Sequence, residues 1–173
     1  MLALVKPTTM EPKFEMIVLF IGILFTGLTA GLCFTWTNAI TPGIGLLDDL
    51  TFLKAFQAMN RSILNPTFII VFMSPFLLLF INAFVFKNTN QITFTSYLVA
   101  AILLFTGVGL VTIFKNVPLN EILDKTVLET ASNVELSELR KTFEQPWNRW
   151  HMIRTVCSFT SFALLIIGTI FNK

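Results

Sequence analysis

Charge is what this sequence has least of. Only 13% of its 173 residues are charged, against 54% apolar, where a soluble domain carries about 25% charged residues. So few ionised groups cannot furnish a water-facing surface. Basic residues outnumber acids by two and form no run, so no nucleic-acid partner is expected. Histidine occurs once, as His151. That excludes a bis-histidine haem within one chain and leaves a histidine-based zinc or non-haem iron site short of ligands. The two cysteines, Cys33 and Cys157, lie in separate apolar stretches without CxxC spacing. They support neither a disulfide framework nor a thiolate metal site, and both read as small core residues. No Gly-rich phosphate loop or nucleophile elbow occurs. The expected cofactor is therefore none, with copper or iron as the alternatives. Copper would need His151 with Met152 or asparagine oxygens.

What the chain does have is apolar length. Nineteen phenylalanines and a mean hydropathy of +0.76 point to a bilayer. Four stretches reach the roughly 20 apolar residues that a crossing needs, at about residues 14–40, 66–86, 92–114 and 150–171. The first is longer than a secretory signal core. Leu28-Thr29-Ala30-Gly31-Leu32-Cys33 evokes a lipoprotein cleavage site, but Leu32 stands where a small residue is required. It reads as a retained span. Asn65-Pro66 pairs an N-cap with proline at the first helical position. Residues 87–91 form a polar turn, and Thr41-Pro42-Gly43 stops the first span. Pro75 should kink the second span and free the carbonyl of Val71. Gly27-x-x-x-Gly31 permits close helix approach.

The two longer connections, Leu46 to Leu64 and Leu119 to Phe143, mix leucine and phenylalanine with charges at helical spacing. Both read as amphipathic helices that lie on the interface or cap the bundle. The expected fold is all-α: one integral membrane domain over 1–173, an up-down bundle of four transmembrane helices with amphipathic helices in the 1–2 and 3–4 connections.

Alternating spans gather the polar residues at one end. Trp36, Thr37, Asn38, Asn60, Arg61, Asn65, Thr112, Asn116, Asn120, Trp147, Trp150, His151, Arg154 and Thr155 share a membrane face. So do eight of the twelve basic residues; the opposite face has only Lys6, Lys13, Lys87 and Lys173. Positive-inside counting makes the crowded face cytoplasmic and the protein a multi-pass component of the plasma membrane. His151, Arg154, Thr155, Ser158 and Ser161 follow helical spacing along span four, and Thr112, Asn116 and Asn120 recur every four residues at the end of span three. Two polar stripes at one depth in an apolar bundle make a pocket. Each residue also has a purely structural reading: His151 as an interfacial cap, Arg154 snorkelling to headgroups, the tryptophans as an aromatic belt, the asparagines as helix caps.

At these residues the sequence resembles the small membrane proteins grouped with anthrone oxygenases. The matching pieces are Gly27-x-x-x-Gly31 followed by Phe34 to Pro42, Met59-Asn60-Arg61-x-Ile63-Leu64-Asn65-Pro66, Thr112-x-x-x-Asn116-Val117-Pro118-Leu119-Asn120 and Trp147-x-x-Trp150-His151-x-x-Arg154-Thr155. The resemblance implies a four-helix membrane fold and oxidation of an anthrone to an anthraquinone by molecular oxygen without a conventional cofactor. Many family versions carry asparagine just before the histidine, where this chain has Trp150. Any orienting role of that asparagine must pass to Asn148 or be absent. On this reading His151 is the base that removes a methylene proton. Asn116, Asn120 and Arg154 stabilise the enolate. Trp147, Trp150, Thr112, Asn60, Asn65 and Thr155 bind the hydrophobic aromatic, an anthrone or quinol-like molecule taken from the bilayer. The competing expectation is a non-catalytic small membrane protein, a small-molecule binder or transporter accessory subunit, whose polar pocket is structural.

Overall fold

A computed structural model describes residues 13–172; Lys6 and Lys173, counted above for the sparse face, lie outside them. Helix α1 (Phe14–Ile44), α3 (Pro66–Val85), α4 (Gln91–Lys125) and α5 (Asn133–Ile170) are each long and apolar enough to cross a membrane. The shorter α2 (Asp49–Ile63) joins α1 to α3. No strand occurs among the described residues. The four long helices form a ring in which α1 touches α3 and α5, and α4 touches α3 and α5. The protein is an all-helical membrane protein of the up-down type.

Local chemistry sets the helix starts. Asn65 accepts the amide of Phe68 at 3.0 Å, with Pro66 in the first turn. Asn90 caps α4 by accepting the amide of Thr93 at 2.9 Å, and its Nδ2 donates to Phe171 O at 2.8 Å, tying the α3–α4 turn to the end of α5. Asp48 caps α2 by accepting the amide of Thr51 at 3.1 Å. Hydrogen bonds from the Thr51 side chain and amide hold its carboxyl below the usual carboxylate range. Ser132 and Glu135 form a reciprocal capping box at the start of α5.

Three helices run further than their sequence suggests. α1 passes through Pro42 to Ile44 because a π-helical turn, Trp36–Ile40, precedes it. After that wide turn Pro42 sits in the first turn of renewed α-helix, where its missing N–H costs nothing. Thr41 Oγ1 donates to Trp36 O at 3.0 Å across the turn. α4 does the same: π segments Leu104–Leu110 and Thr112–Asn116 are followed by α-helix Val117–Lys125, with Pro118 in its first turn. α5 runs unbroken through Pro146 for 38 residues, about 57 Å at 1.5 Å per residue. The amphipathic stretch expected between spans three and four is thus helical, but its helix is the end of α4 and the start of α5 around a short turn at 126–132. α3 stays helical through Pro75.

Two apolar cores result. One lies inside the ring, with Leu19, Phe72, Leu79, Tyr97, Leu104 and Leu165. The other forms a cap beyond it, where Phe52, Leu53 and Phe56 of α2 pack on Leu123, Leu128, Leu136, Phe143 and Trp147. The Gly27/Gly31 pair is only half used. A Cβ on Gly27 would meet the Phe162 ring at 3.0 Å, whereas Gly31 faces open space. Tighter approaches lie elsewhere, at Gly107 against Cys157, at Gly22 against Asn82 and at Gly168, where a Cβ would stand 2.5 Å from Tyr97 Cε1.

Candidate functional site

Between the ring and the cap lies a cavity of about 250 Å³. Its walls come from α1 (Leu32, Cys33, Trp36), α2 (Asn60, Ile63), α3 (Phe68, Ile69, Phe72, Met73), α4 (Thr112, Asn116, Val117, Asn120) and α5 (Trp147, His151, Arg154), with Leu64 at the α2–α3 join. Trp36, Thr112 and Asn116 belong to the π-helical turns. A wide turn re-aims side chains that a regular helix would place elsewhere, and such turns recur at functional sites.

The buried end of the cavity is polar. His151, Arg154 and Asn116 are 3%, 9% and 1% exposed. The imidazole stacks on Trp147, with ring centroids 4.7 Å apart and planes 16° from parallel. His151 Nε2 lies 3.1 Å from Cys33 O. A carbonyl can only accept, so Nε2 carries the proton and donates. In the neutral ring this makes Nδ1 the basic nitrogen, and Nδ1 is buried with no hydrogen-bond partner. One turn along, the Arg154 guanidinium stands 5.6 Å from the centroid of Phe72. Its Nε has no partner, and no ion pair among the described residues includes it. Asn116 Nδ2 donates to Trp147 O at 3.2 Å, leaving Oδ1 unpartnered. Asn120 Oδ1 accepts the Trp147 indole N–H at 2.7 Å. Burying groups like these unpaired is unfavourable, and they cluster in a largely apolar chamber.

Seven of the ten residues expected at the site therefore line one cavity: His151, Asn116, Asn120, Arg154, Trp147, Thr112 and Asn60. The other three do not. Trp150 faces away from it, in a shallow hollow with Lys141, Gln145, Pro146 and Arg149, and the Lys115 ammonium lies 5.0 Å from its ring. Asn65 is occupied as the cap of α3. Thr155 stitches α5 to α1: its hydroxyl donates to Cys33 O at 3.2 Å and shares a 2.7 Å hydrogen bond with Thr37 Oγ1. Farther along that stripe, Ser158 and Ser161 donate to Thr155 O and Ala100 O.

The imidazole is oriented by Cys33 O and Trp147; Asn148 lies off the cavity wall. No periodicity marks a carbonyl as a hydrogen-bond acceptor, so sequence reasoning has no access to Cys33. Trp36 was findable, since it belongs to the crowded face. The apolar walls Phe68, Phe72 and Met73 carry no signal that separates them from ordinary span residues. Met152, the sulfur offered for copper, is exposed and lines no part of the cavity. Among the described residues no three His, Cys, Asp or Glu side chains gather into a metal-binding group.

The sequence pattern of the anthrone oxygenase family matches residues 53–164, about two-thirds of the chain. No curated protein and no solved structure matches the chain significantly. The matched segment includes most of α2, all of α3 and α4 and most of α5, and with them every cavity residue except Leu32, Cys33 and Trp36.

Proposed function

The chain belongs to the anthrone oxygenase family, and we propose that it oxidises a planar, enolisable aromatic, an anthrone or a quinol-like molecule, with molecular oxygen and without a resident cofactor. The observation that carries this reading is the pairing, in the wall of one apolar chamber, of an unpartnered basic nitrogen, His151 Nδ1, with the guanidinium of Arg154 one helical turn away, whose Nε has no partner and which has no counter-charge among the described residues.

An anthrone methylene is acidic because its carbanion spreads into a phenolate-like enolate. His151 Nδ1 takes that proton. Arg154 faces the developing oxyanion, and Asn120 Nδ2, left uncommitted by the indole bond to its Oδ1, adds a donor, while Asn116 Nδ2 is held by Trp147 O; groups fixed before reaction are how preorganised dipoles lower a barrier. The electron-rich enolate passes one electron to oxygen, and radical and superoxide combine to a hydroperoxide at the former methylene carbon. Loss of water leaves a carbonyl. In sum, one CH₂ and one O₂ become one C=O and one H₂O, so the balance needs no further reductant. Trp147 and Trp36 give the chamber an aromatic wall for the ring system. A cavity of about 250 Å³ suits a compact polycycle.

The test is oxygen uptake by purified protein in vesicles, across a panel of anthrones and hydroquinones. His151→Ala is expected to lower turnover by about 10²–10⁴-fold with helicity unchanged by circular dichroism. Uptake unaltered in that variant sinks the base assignment. No turnover on any member of the panel, with retained binding of an anthraquinone, would make this a small-molecule binder.

A further inference from the structure

Two ways into the cavity compete, one from the bilayer and one from water. We infer that the site is filled sideways from the lipid phase, through a gap between α3 and α4 at the cavity end of the bundle. This concerns the route and holds for any occupant, reactive or not.

The gap follows from how the two helices leave their shared turn. α3 packs closely on residues 91–103 of α4, weakly on 104–110, and hardly at all beyond them. The pair splays apart as it nears the polar end. Leu64, Ile69 and Met73 line the cavity and yet are 71%, 47% and 45% exposed, so their apolar side chains face outward and inward at once. Ile69 and Met73 belong to the apolar span Pro66–Val85, where outward means hydrocarbon. No charged residue stands among these three, and Val117 on the α4 side is apolar too.

The watery route is obstructed. α2 is held over that side by Gln57 Nε2, which donates to Leu123 O at 2.7 Å and Thr126 O at 3.0 Å. Phe52, Leu53 and Phe56 seal the cap beneath it. A second hollow of about 250 Å³ shares Asn60, Ile63, Leu64, Val117 and Asn120 with the cavity. Its outer rim is ringed by the paired charges Arg61–Asp124 and Lys125–Glu121. An apolar polycycle passing there would strip water from ion pairs, whereas in the α3–α4 gap it exchanges one apolar neighbour for another. The occupant is thus a membrane-dissolved molecule, and the reaction that makes it must deliver it to the bilayer. Ile69, Met73 and Leu64 set its width.

The chain carries its own probes. It has three tryptophans, and Trp150→Phe leaves only Trp36 and Trp147, both in the cavity wall. The variant is reconstituted into phosphatidylcholine vesicles with brominated acyl chains, and separately into plain vesicles exposed to aqueous iodide. Acyl-chain bromine is expected to quench strongly and iodide weakly, and Ile69→Phe combined with Met73→Phe should roughly halve the bromine quenching by filling the gap. Iodide quenching stronger than bromine quenching overturns the inference in favour of the watery route. So does bromine quenching that the double substitution leaves unmoved. Should the double variant fail to insert, the bromine-to-iodide ratio in Trp150→Phe decides alone.

Discussion

The two ends of the bundle differ in how completely they pair their buried polar groups. Where the α3–α4 turn meets the end of α5, such groups fasten one helix to another. Thr93 Oγ1 donates to Gly168 O at 3.1 Å, Tyr97 and Thr169 share a hydrogen bond at 3.1 Å, and Ser161 Oγ donates to Ala100 O at 2.9 Å. At the cavity end His151 Nδ1, Arg154 Nε, Asn116 Oδ1 and Asn60 Nδ2 have no partner. The separation is not absolute, since Asn82 Oδ1, Ser74 Oγ, Thr26 Oγ1 and Thr29 Oγ1 are also unpartnered. Yet only at the cavity end do the unpaired groups line one chamber and include a cation. One end uses polarity as glue; the other uses part of it as glue, as in the bonds of Thr155 to Cys33 O and Asn116 to Trp147 O, and holds part in reserve for an occupant. A departure from full hydrogen bonding marks working sites for this reason.

The contrast makes substitutions at the two ends diverge in what they damage. Arg154→Met is expected to cut turnover by about 10²–10³-fold, the usual effect of removing an oxyanion donor. The folded protein should be no less stable, because a buried charge without a counter-charge is replaced by an apolar side chain of similar length. Thermal unfolding in detergent beside turnover reads both, and a large loss of stability would show that Arg154 is glue after all. Gly168→Leu should do the reverse. Its side chain collides with Tyr97, and overpacking of this kind costs about 1–3 kcal/mol. Turnover per folded molecule should hold while the melting temperature falls. Ser161→Ala, removing one interhelical hydrogen bond, should cost about 0.6 kcal/mol, visible in the same melt.

The smallest effect belongs to the cap rim. Glu129 pairs with Lys54 at 3.3 Å, both well exposed. Its carboxyl is held below the usual range by its own backbone amide and then by Lys54. A depressed carboxylate lends stability above its unfolded pKa and loses it as pH falls through the folded one. Screened by water, that contribution should be undetectable. Glu129→Gln should match the parent's melt at neutral and at acid pH, and a clear difference would give the cap a role in stability that its exposure does not suggest.

Much of this was legible because hydropathy and capping are local. The four spans, the Asn65-Pro66 start of α3 and the gathering of polar residues at one end all follow from residue types at short range. The helix ends were harder. Pro42 and Pro118 look like stops until a wide turn upstream places each in a fresh first turn, and no residue type announces such a turn. Trp150 is a different case, for the signal was present. Trp147, His151, Arg154 and Ser158 repeat at helical spacing, and Trp150, one residue before His151, lies about 100° round the helix. Its motif position argued for the site while periodicity argued against, and periodicity holds. Asn65 likewise carried its competing role openly, as a cap.

A five-residue turn in a helix of four-residue turns is, by count, one residue too many. Deleting Ile113 would let the stretch Thr112–Asn116 wind regularly, leaving the wide segment Leu104–Leu110 as it is, and would swing the chain beyond it by about 100°. Asn116 and Asn120 would leave the chamber without either being replaced. The identity of the site is therefore written partly in a length, the number of residues from Thr112 to Asn120. Two chains with the same side chains but a different count there would not share this chamber.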